Sequence, residues 1–95
     1  MKIIVIAHRT ATATPEAIGP LLEPEAKRAL SMVAENVVRE IHGRADGQGA
    51  ILVFEAEDEA EVRAHLDTLP LAQNGYLAFD VYPVVPYRGI VNAAK

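Results

Sequence analysis

Three side chains that can carry proton-transfer chemistry, His8, Asp80 and Tyr82, stand out by their places in predicted strands. His8 ends an otherwise apolar strand and shares its alternating face with Ile4 and Ile6. An imidazole takes up and releases protons near neutral pH, so His8 suits a proton shuttle. Asp80 and Tyr82 share one face of the last predicted strand, where the carboxylate would act as a base and the phenol as a hydrogen-bond donor. We therefore take these three residues as the candidate catalytic set.

Both His8 and Asp80 also have a plainer interpretation. His8 can be a strand-end histidine that faces solvent beside Arg9. Asp80 can pair with an arginine across a subunit interface. Structural ion-pair networks perturb titration much as catalytic sites do, so the residue types alone do not choose between these readings.

Further polar candidates lie in the second predicted strand and in the C-terminal tail. His42 falls on the strand face opposite Ile41, together with Glu40 and Arg44. Such charged alternation is typical of an edge strand or a solvated face, with substrate binding by His42 as the alternative. Arg44 and Arg88 are cations available for a substrate carboxylate.

The sequence predicts no cofactor or metal. It contains no cysteine, which excludes disulfides, thiolate ligands and thiol catalysis. The three histidines are scattered without the spacing of a zinc site. Gly43, Gly47 and Gly49 surround a predicted hairpin turn, and no helix follows them as a phosphate-binding loop would require.

The composition predicts one folded domain over residues 1–95. Hydrophobic residues make up 51% of the chain and charged residues 23%, which is ordinary for a globular protein. A net charge of −4 without a basic cluster argues against nucleic acid as a partner. The first ten residues lack the features of a signal peptide, and no stretch is long and apolar enough to cross a bilayer. A cytoplasmic location and no membrane partner are expected.

Periodicity predicts the element order β, α, β, β, α, β. The strands are expected at residues 2–7, 37–44, 50–54 and 76–85, with an Asp46-Gly47 hairpin turn between the second and third. This order is that of the ferredoxin-like α+β fold, a four-stranded antiparallel sheet with two helices on one face. The first helix is expected to end at Asn36, and Pro70 to stop the second. The buried stripe of the first helix is predicted from apolar residues at helical spacing: Leu22, Ala26, Leu30, Val33 and Val37.

The apolar pattern of the sheet also predicts self-association. The first and third strands are apolar on both faces, while two helices can cover only one face of a four-stranded sheet. A monomer would leave a large apolar patch in water, which soluble monomers avoid. We therefore expect a homodimer or a higher homo-oligomer packed sheet against sheet, with the proline-containing tail from Pro83 to Ile90 crossing onto a neighbouring subunit.

The last two-thirds of the chain resembles a known family. The resemblance lies in residues 39–71, with Gly47 in the hairpin, VFEAED leading into the second helix and HLDTLPL at its end, followed by Asp80, Pro83 and Pro86. This pattern is similar to muconolactone delta-isomerase and its relatives, which are small dimeric α+β-barrel proteins. The resemblance implies a cofactor-independent isomerase in the catabolism of aromatic compounds, which moves a proton on a small unsaturated lactone or carboxylate.

Three hypotheses follow from these residues. In the first, the protein is such an isomerase, with His8, Asp80 and Tyr82 as acid, base and donor. In the second, it is a non-catalytic small-ligand-binding or assembly module that uses the same space between two sheets. In the third, an enzyme uses a His8–Asp80 pair in the manner of the YCII-like relatives of this fold.

Overall fold

One antiparallel sheet organises the chain, and the computed structural model describes it over residues 1–89. The strands are β1 (Lys2–Arg9), β2 (Val38–Gly43), β3 (Gly49–Glu55) and β4 (Leu77–Pro83). Their order across the sheet is β2-β3-β1-β4, with every neighbouring pair antiparallel. The predicted α+β ferredoxin-like fold is therefore confirmed.

The helices of the described elements are α1 (Pro15–Ile18), α2 (Leu22–Ala34), α3 (Glu59–Leu66) and α4 (Pro70–Gln73), with a 3-10 turn, Gly19–Leu21, between α1 and α2. Helices α2, α3 and α4 pack against the core on one face of the sheet, which we call the helix face. The core between helices and sheet contains these fully buried side chains: Ile3, Val5, Met32, Val38, Phe54, Val62 and Leu66. Within residues 1–89, no helix is long and apolar enough to cross a membrane.

The central strand β1 has the two-sided apolar pattern that its sequence predicts. Ile3, Val5 and Ala7 are buried under the helices. Ile4 and Ile6 alternate with them and are only partly exposed on the opposite face, which we call the outer face. None of the helices α1 to α4 covers the outer face, so the apolar residues there require another explanation.

The predicted buried stripe of the first helix is confirmed only at Val33 and Val37, which pack against the core, and is wrong at Leu22, Ala26 and Leu30, which are exposed. Leu22 is 46% exposed and Leu30 is 64% exposed, whereas Met32 is completely buried. The helix is rotated so that polar groups also face the body of the protein: Arg28 Nε donates to Thr68 Oγ1 at 2.7 Å, and Glu25 Oε1 accepts from the Leu71 N–H at 2.9 Å. These bonds link α2 to the α3–α4 segment, and simple apolar periodicity cannot detect them.

Of the two predicted helix ends, Asn36 is confirmed and Pro70 is wrong. Asn36 has a left-handed backbone with φ 62°, as expected of the residue that ends a helix. Pro70, by contrast, does not stop the second helix, because α3 already ends at Leu66 and Pro70 begins α4. Proline suits the first turn of a helix, where its missing N–H has no partner to lose.

Candidate active site

His8 and Asp80 form a side-chain pair on the outer face, near the end of β1. The β1–β4 register pairs His8 with Ala78 and Ile6 with Asp80. The side chains of His8 and Asp80 are thus diagonal neighbours on one face, and His8 Nε2 lies 2.7 Å from Asp80 Oδ2. Two residues that are 72 positions apart in the sequence therefore share a hydrogen bond.

Arg44 holds the other side of the His8 ring. Its Nη1 lies 2.7 Å from His8 Nδ1 and 3.4 Å from the Ala7 carbonyl oxygen. Arg44 directly follows β2, and its backbone N–H bonds to the Gly49 oxygen, which closes the hairpin beside His8. The guanidinium is fixed further by an ion pair between Nη2 and Asp46.

The sequence predicts only a turn position for Asp46, whereas the structure also pairs it with Arg44. Its Oδ1 accepts from the Gln48 N–H at 2.9 Å, and its other oxygen binds Arg44. The Gln48 N–H and the Arg44 guanidinium together lower the pKa of the Asp46 carboxyl. The available signal was an arginine two residues before an aspartate in a tight turn, a spacing at which the two side chains can meet.

These contacts fix the proton arrangement of a neutral His8. Arginine only donates hydrogen bonds, so His8 Nδ1 must accept from Arg44. The ring proton then lies on Nε2, which donates to the Asp80 carboxylate. The site is a chain of cation, imidazole and carboxylate in which Arg44 and His8 position Asp80.

Exposure increases along this chain toward Asp80. The side chain is 22% exposed in Arg44, 39% in His8 and 53% in Asp80. The carboxylate is therefore the group that a molecule arriving at the outer face would meet first. Chemically, such a carboxylate can take a proton from a substrate and, once protonated, give it back, while the imidazole N–H holds it in place.

Tyr82 shares the outer face with Asp80 but does not contact the pair. It lies two residues further along β4, opposite Ile4, and is 51% exposed. No hydrogen bond of its phenol to His8 or Asp80 occurs within residues 1–89. Its role as a donor stays a prediction.

His42 and Arg88 are not brought to His8 within one chain. His42 is on the outer face of the edge strand β2 and pairs with Glu40 at 3.2 Å. Two strands separate it from β4, a distance of about 14 Å from Asp80 at the usual strand spacing. Arg88 follows the end of β4 that pairs with Ile3, the far end of β1 from His8. A surface groove of 610 Å³ between Met1–Lys2 and Val84–Pro86 lies at that same distant end.

The middle of the outer face is apolar. Ile4 pairs with Val53 and Ile6 pairs with Ile51, and these side chains are only partly exposed. Polar residues frame them on the two edge strands: Asp80 and Tyr82 on β4, and Glu40 and His42 on β2. Among residues 1–89, no group of three His, Cys, Asp or Glu side chains is placed to hold a metal ion.

Comparisons with known proteins support the fold. Neither a protein-family model nor a curated protein sequence matches the chain. Among solved structures, it is similar to 5-chloro-2-hydroxyhydroquinone dehydrochlorinase from Burkholderia phenoliruptrix AC1100, in complex with 2,5-dihydroxybenzoquinone. The TM-score is 0.70 at 15% sequence identity, and the alignment covers 94% of this chain and 98% of the other. This likeness extends to the fold of an α+β barrel, and it does not single out muconolactone delta-isomerase within that fold.

Proposed function

We propose that this protein is a small-molecule enzyme that moves a proton on a small unsaturated ring compound without a cofactor. The observation that carries the proposal is the Arg44–His8–Asp80 chain, with 2.7 Å contacts on both sides of the imidazole. A carboxylate held in this way on a largely apolar face is suited to remove a proton from carbon next to a carbonyl group.

Each residue has a separate role in this proposal. Asp80 is the base, the N–H of His8 orients it, and the carboxylic acid formed at Asp80 then returns the proton to the product. The guanidinium of Arg44 is already bonded to His8, Ala7 and Asp46, which favours a positioning role over direct contact with a substrate carboxylate. Tyr82 is the donor proposed for the oxygen on which negative charge develops.

The substrate class follows from the chemistry and from the structural neighbour. Isomerisation of an unsaturated lactone and loss of hydrogen chloride from 5-chloro-2-hydroxyhydroquinone both remove a proton from a small conjugated ring compound that carries oxygen. The neighbour's name describes the second reaction, and the resemblance to muconolactone delta-isomerase implies the first. We propose the first reaction, isomerisation of an unsaturated lactone, as the more specific function.

We propose further that two chains pack through their outer faces. The partly exposed Ile4, Ile6, Ile51 and Val53 would then be covered, and Asp80 would lie at the rim of an enclosed space. Val85 and Tyr87 are 72% and 73% exposed in the segment after β4, which supports the predicted crossing of this segment onto a neighbour. Ile90, the last residue of that predicted crossing, lies outside the described residues. His42 and Arg88 keep their proposed contacts with substrate only in such an assembly.

Sedimentation velocity tests this assembly. Val53→Lys places a charge in the middle of the outer face, beside Glu40 and away from His8, and is expected to yield a monomer. Leu30→Lys adds the same charge to an exposed position on α2 and is expected to keep the wild-type mass. A wild-type protein that sediments as a monomer would overturn the outer-face dimer.

A specific observation favours a second candidate, a non-catalytic ligand-binding or assembly module. The aliphatic side chains in the middle of the outer face can fill the space between two sheets and leave little room for a substrate. In that case the His8–Asp80 pair serves only to fix β1 against β4 at the rim.

Hydrogen–deuterium exchange separates the two candidates. Muconolactone and 2,5-dihydroxybenzoquinone are incubated with the protein in deuterium oxide, and loss of carbon-bound proton signal is followed by NMR. We expect Asp80→Asn to lower the catalysed rate by about 10³-fold and His8→Gln by about 10²-fold. Asp67→Asn, which alters an exposed carboxylate at the end of α3, is the matched control. A wild-type rate no faster than buffer for both compounds would favour the non-catalytic module.

A further inference from the structure

A second cleft opens on the helix face, separated from the His8–Asp80 pair by the backbone of β1. Its volume is 240 Å³, and it lies between α2 and the end of the sheet where the β2–β3 hairpin closes. Ala7 belongs to the buried face of β1, opposite to the face that carries His8. This cleft is therefore distinct from the proposed active site and cannot share a ligand with it.

Small side chains account for the space. Alanine and glycine line the cleft from the sheet at Ala7, Gly49 and Ala50 and from α2 at Ala26 and Ala29. Larger residues at these positions would bring side chains into the gap between helix and sheet. The volume is below the roughly 300–1,000 Å³ of sites for drug-sized ligands, so the cleft suits a compound with about one ring.

Two groups of opposite charge line this otherwise apolar cleft. Glu25 uses Oε1 to accept from the Leu71 N–H at 2.9 Å, and no hydrogen bond within residues 1–89 engages its other oxygen. Arg9 ends β1 and is tied by its backbone N–H to the Gln48 oxygen at 2.8 Å. Over the same described residues, the guanidinium of Arg9 forms no ion pair, with Glu25 or with any other carboxylate.

The environment of Glu25 differs from that of a surface carboxylate. Burial raises its pKa, against the opposing effect of the Leu71 N–H. The second oxygen of Glu25 is accessible to solvent, so a ligand hydroxyl can reach it and donate a hydrogen bond. Arg9, whose guanidinium pairs with no carboxylate of residues 1–89, also lines this cleft and is suited to a ligand carboxylate, which an arginine binds with two parallel hydrogen bonds.

We propose that this cleft binds a small aromatic hydroxy acid, whose carboxylate pairs with Arg9 and whose hydroxyl donates to Glu25. The flat ring would lie against the alanine methyl groups of α2 and the sheet. The two charges select for a molecule that carries both groups, because a plain acid leaves Glu25 unpaired and a plain phenol leaves Arg9 unpaired. This ligand site goes beyond the proposed enzymatic function and does not depend on it.

Chemical-shift titration of the ¹⁵N-labelled full chain with 4-hydroxybenzoate, whose hydroxyl and carboxylate cannot bond to each other, tests the site. We expect saturable shifts at Ala7, Ala26 and Leu71, and weaker binding of both benzoate and phenol by about threefold to tenfold. Arg9→Gln is expected to weaken 4-hydroxybenzoate binding about tenfold. Ala26→Leu, at an exposed position of α2 on the edge of the cleft, is expected to block it by filling the space.

Two control variants make the result specific. Lys27→Gln removes an exposed cation from the same helix, one that already pairs with Glu23, and should leave the affinity unchanged. His8→Gln alters the proposed active site and should also leave it unchanged, so failure of the proposed enzyme and failure of this cleft are distinguishable. Absence of saturable shifts, shifts confined to the outer face, or equal affinity of wild type and Arg9→Gln would overturn the proposal.

Discussion

His8 and Asp80 meet diagonally across the β1–β4 ladder, with His8 Nε2 and Asp80 Oδ2 2.7 Å apart. Diagonal neighbours on one sheet face are about 7–8 Å apart at the backbone, which a histidine and an aspartate can bridge. The contact depends on strand register, because a slip of one residue would turn Asp80 toward the helices. The apolar Leu77, Phe79 and Val81 on the other face of β4 pack on the core and so hold that register.

The tautomer of His8 provides the first prediction. We expect the neutral ring to carry its proton on Nε2, because the Arg44 donor occupies Nδ1. Long-range ¹⁵N–¹H NMR spectra should show a protonated Nε2 and an unprotonated Nδ1. Arg44→Met removes the donor and should give a mixture of tautomers, whereas Arg39→Met, which removes a bond to the Asn36 oxygen, should not. A proton on Nδ1 in the wild type would contradict the arrangement.

Glu25 and Asp46 predict opposite dependences of stability on pH. Burial raises the pKa of Glu25, so its stabilising contribution is present below about pH 4.3 and is lost as pH rises through the folded value. The Gln48 N–H and Arg44 lower the pKa of Asp46, so its contribution is present above about pH 3.9 and is lost as pH falls through the folded value.

Urea denaturation across pH checks both signs with two single variants. Glu25→Gln should gain stability relative to wild type as pH rises from about 4 to about 7. The wild type should lose its advantage over Asp46→Asn as pH falls below about 4. Both differences are expected to be small, since Asp46 is solvent-exposed and Glu25 is only half-buried. Slopes of the same sign for the two variants would contradict the assignments.

The rotation of α2 is testable with a pair of alanine substitutions. Met32 is completely buried, so Met32→Ala is expected to cost about 2–5 kcal/mol of unfolding free energy through lost burial and a cavity. Leu30 is 64% exposed, and Leu30→Ala should change the free energy by less than about 0.5 kcal/mol. Urea denaturation at one fixed protein concentration is the measurement, because oligomer stability depends on concentration. Equal costs would place α2 in the orientation that its apolar periodicity predicts.

Strand patterns made much of this structure predictable. Side chains alternate between the two faces of a strand, so the sequence places His8 on the same face as Ile4 and Ile6, and Asp80 on the same face as Tyr82. The positions of these residues on the outer face follow directly from that period. The sequence could not supply the register, which decides that Asp80 rather than Tyr82 reaches His8.

Helix and loop contacts account for what the sequence could not predict. Polar bonds from Glu25 and Arg28 join α2 to the α3–α4 segment. On the same helix Leu22 and Leu30 are exposed, although they belong to the predicted apolar stripe. The sequence predicts that Arg44 binds substrate. It cannot show that Arg44 contacts His8 from β1 and Asp46 from the turn, because these contacts form only in the folded chain. Tertiary bonds of this kind override the local pattern.

The last prediction concerns Gly49, which begins β3 after the hairpin turn and pairs with His8 of β1. Its φ of 148° is in a region that side chains rarely adopt, and an added Cβ would lie 1.9 Å from the Ala7 carbonyl oxygen. We expect Gly49→Ala to destabilise the protein by on the order of 3 kcal/mol or more, measured by urea denaturation. Gly43→Ala is the matched control at the end of β2, where a Cβ meets no atom within 4 Å, and should cost less than about 1 kcal/mol.

Gly49 pairs with His8, so Gly49→Ala should also displace the His8 ring from Arg44 and alter the ¹⁵N shifts of the imidazole. Unchanged stability and unchanged shifts in Gly49→Ala would show that the hairpin does not hold His8 in place.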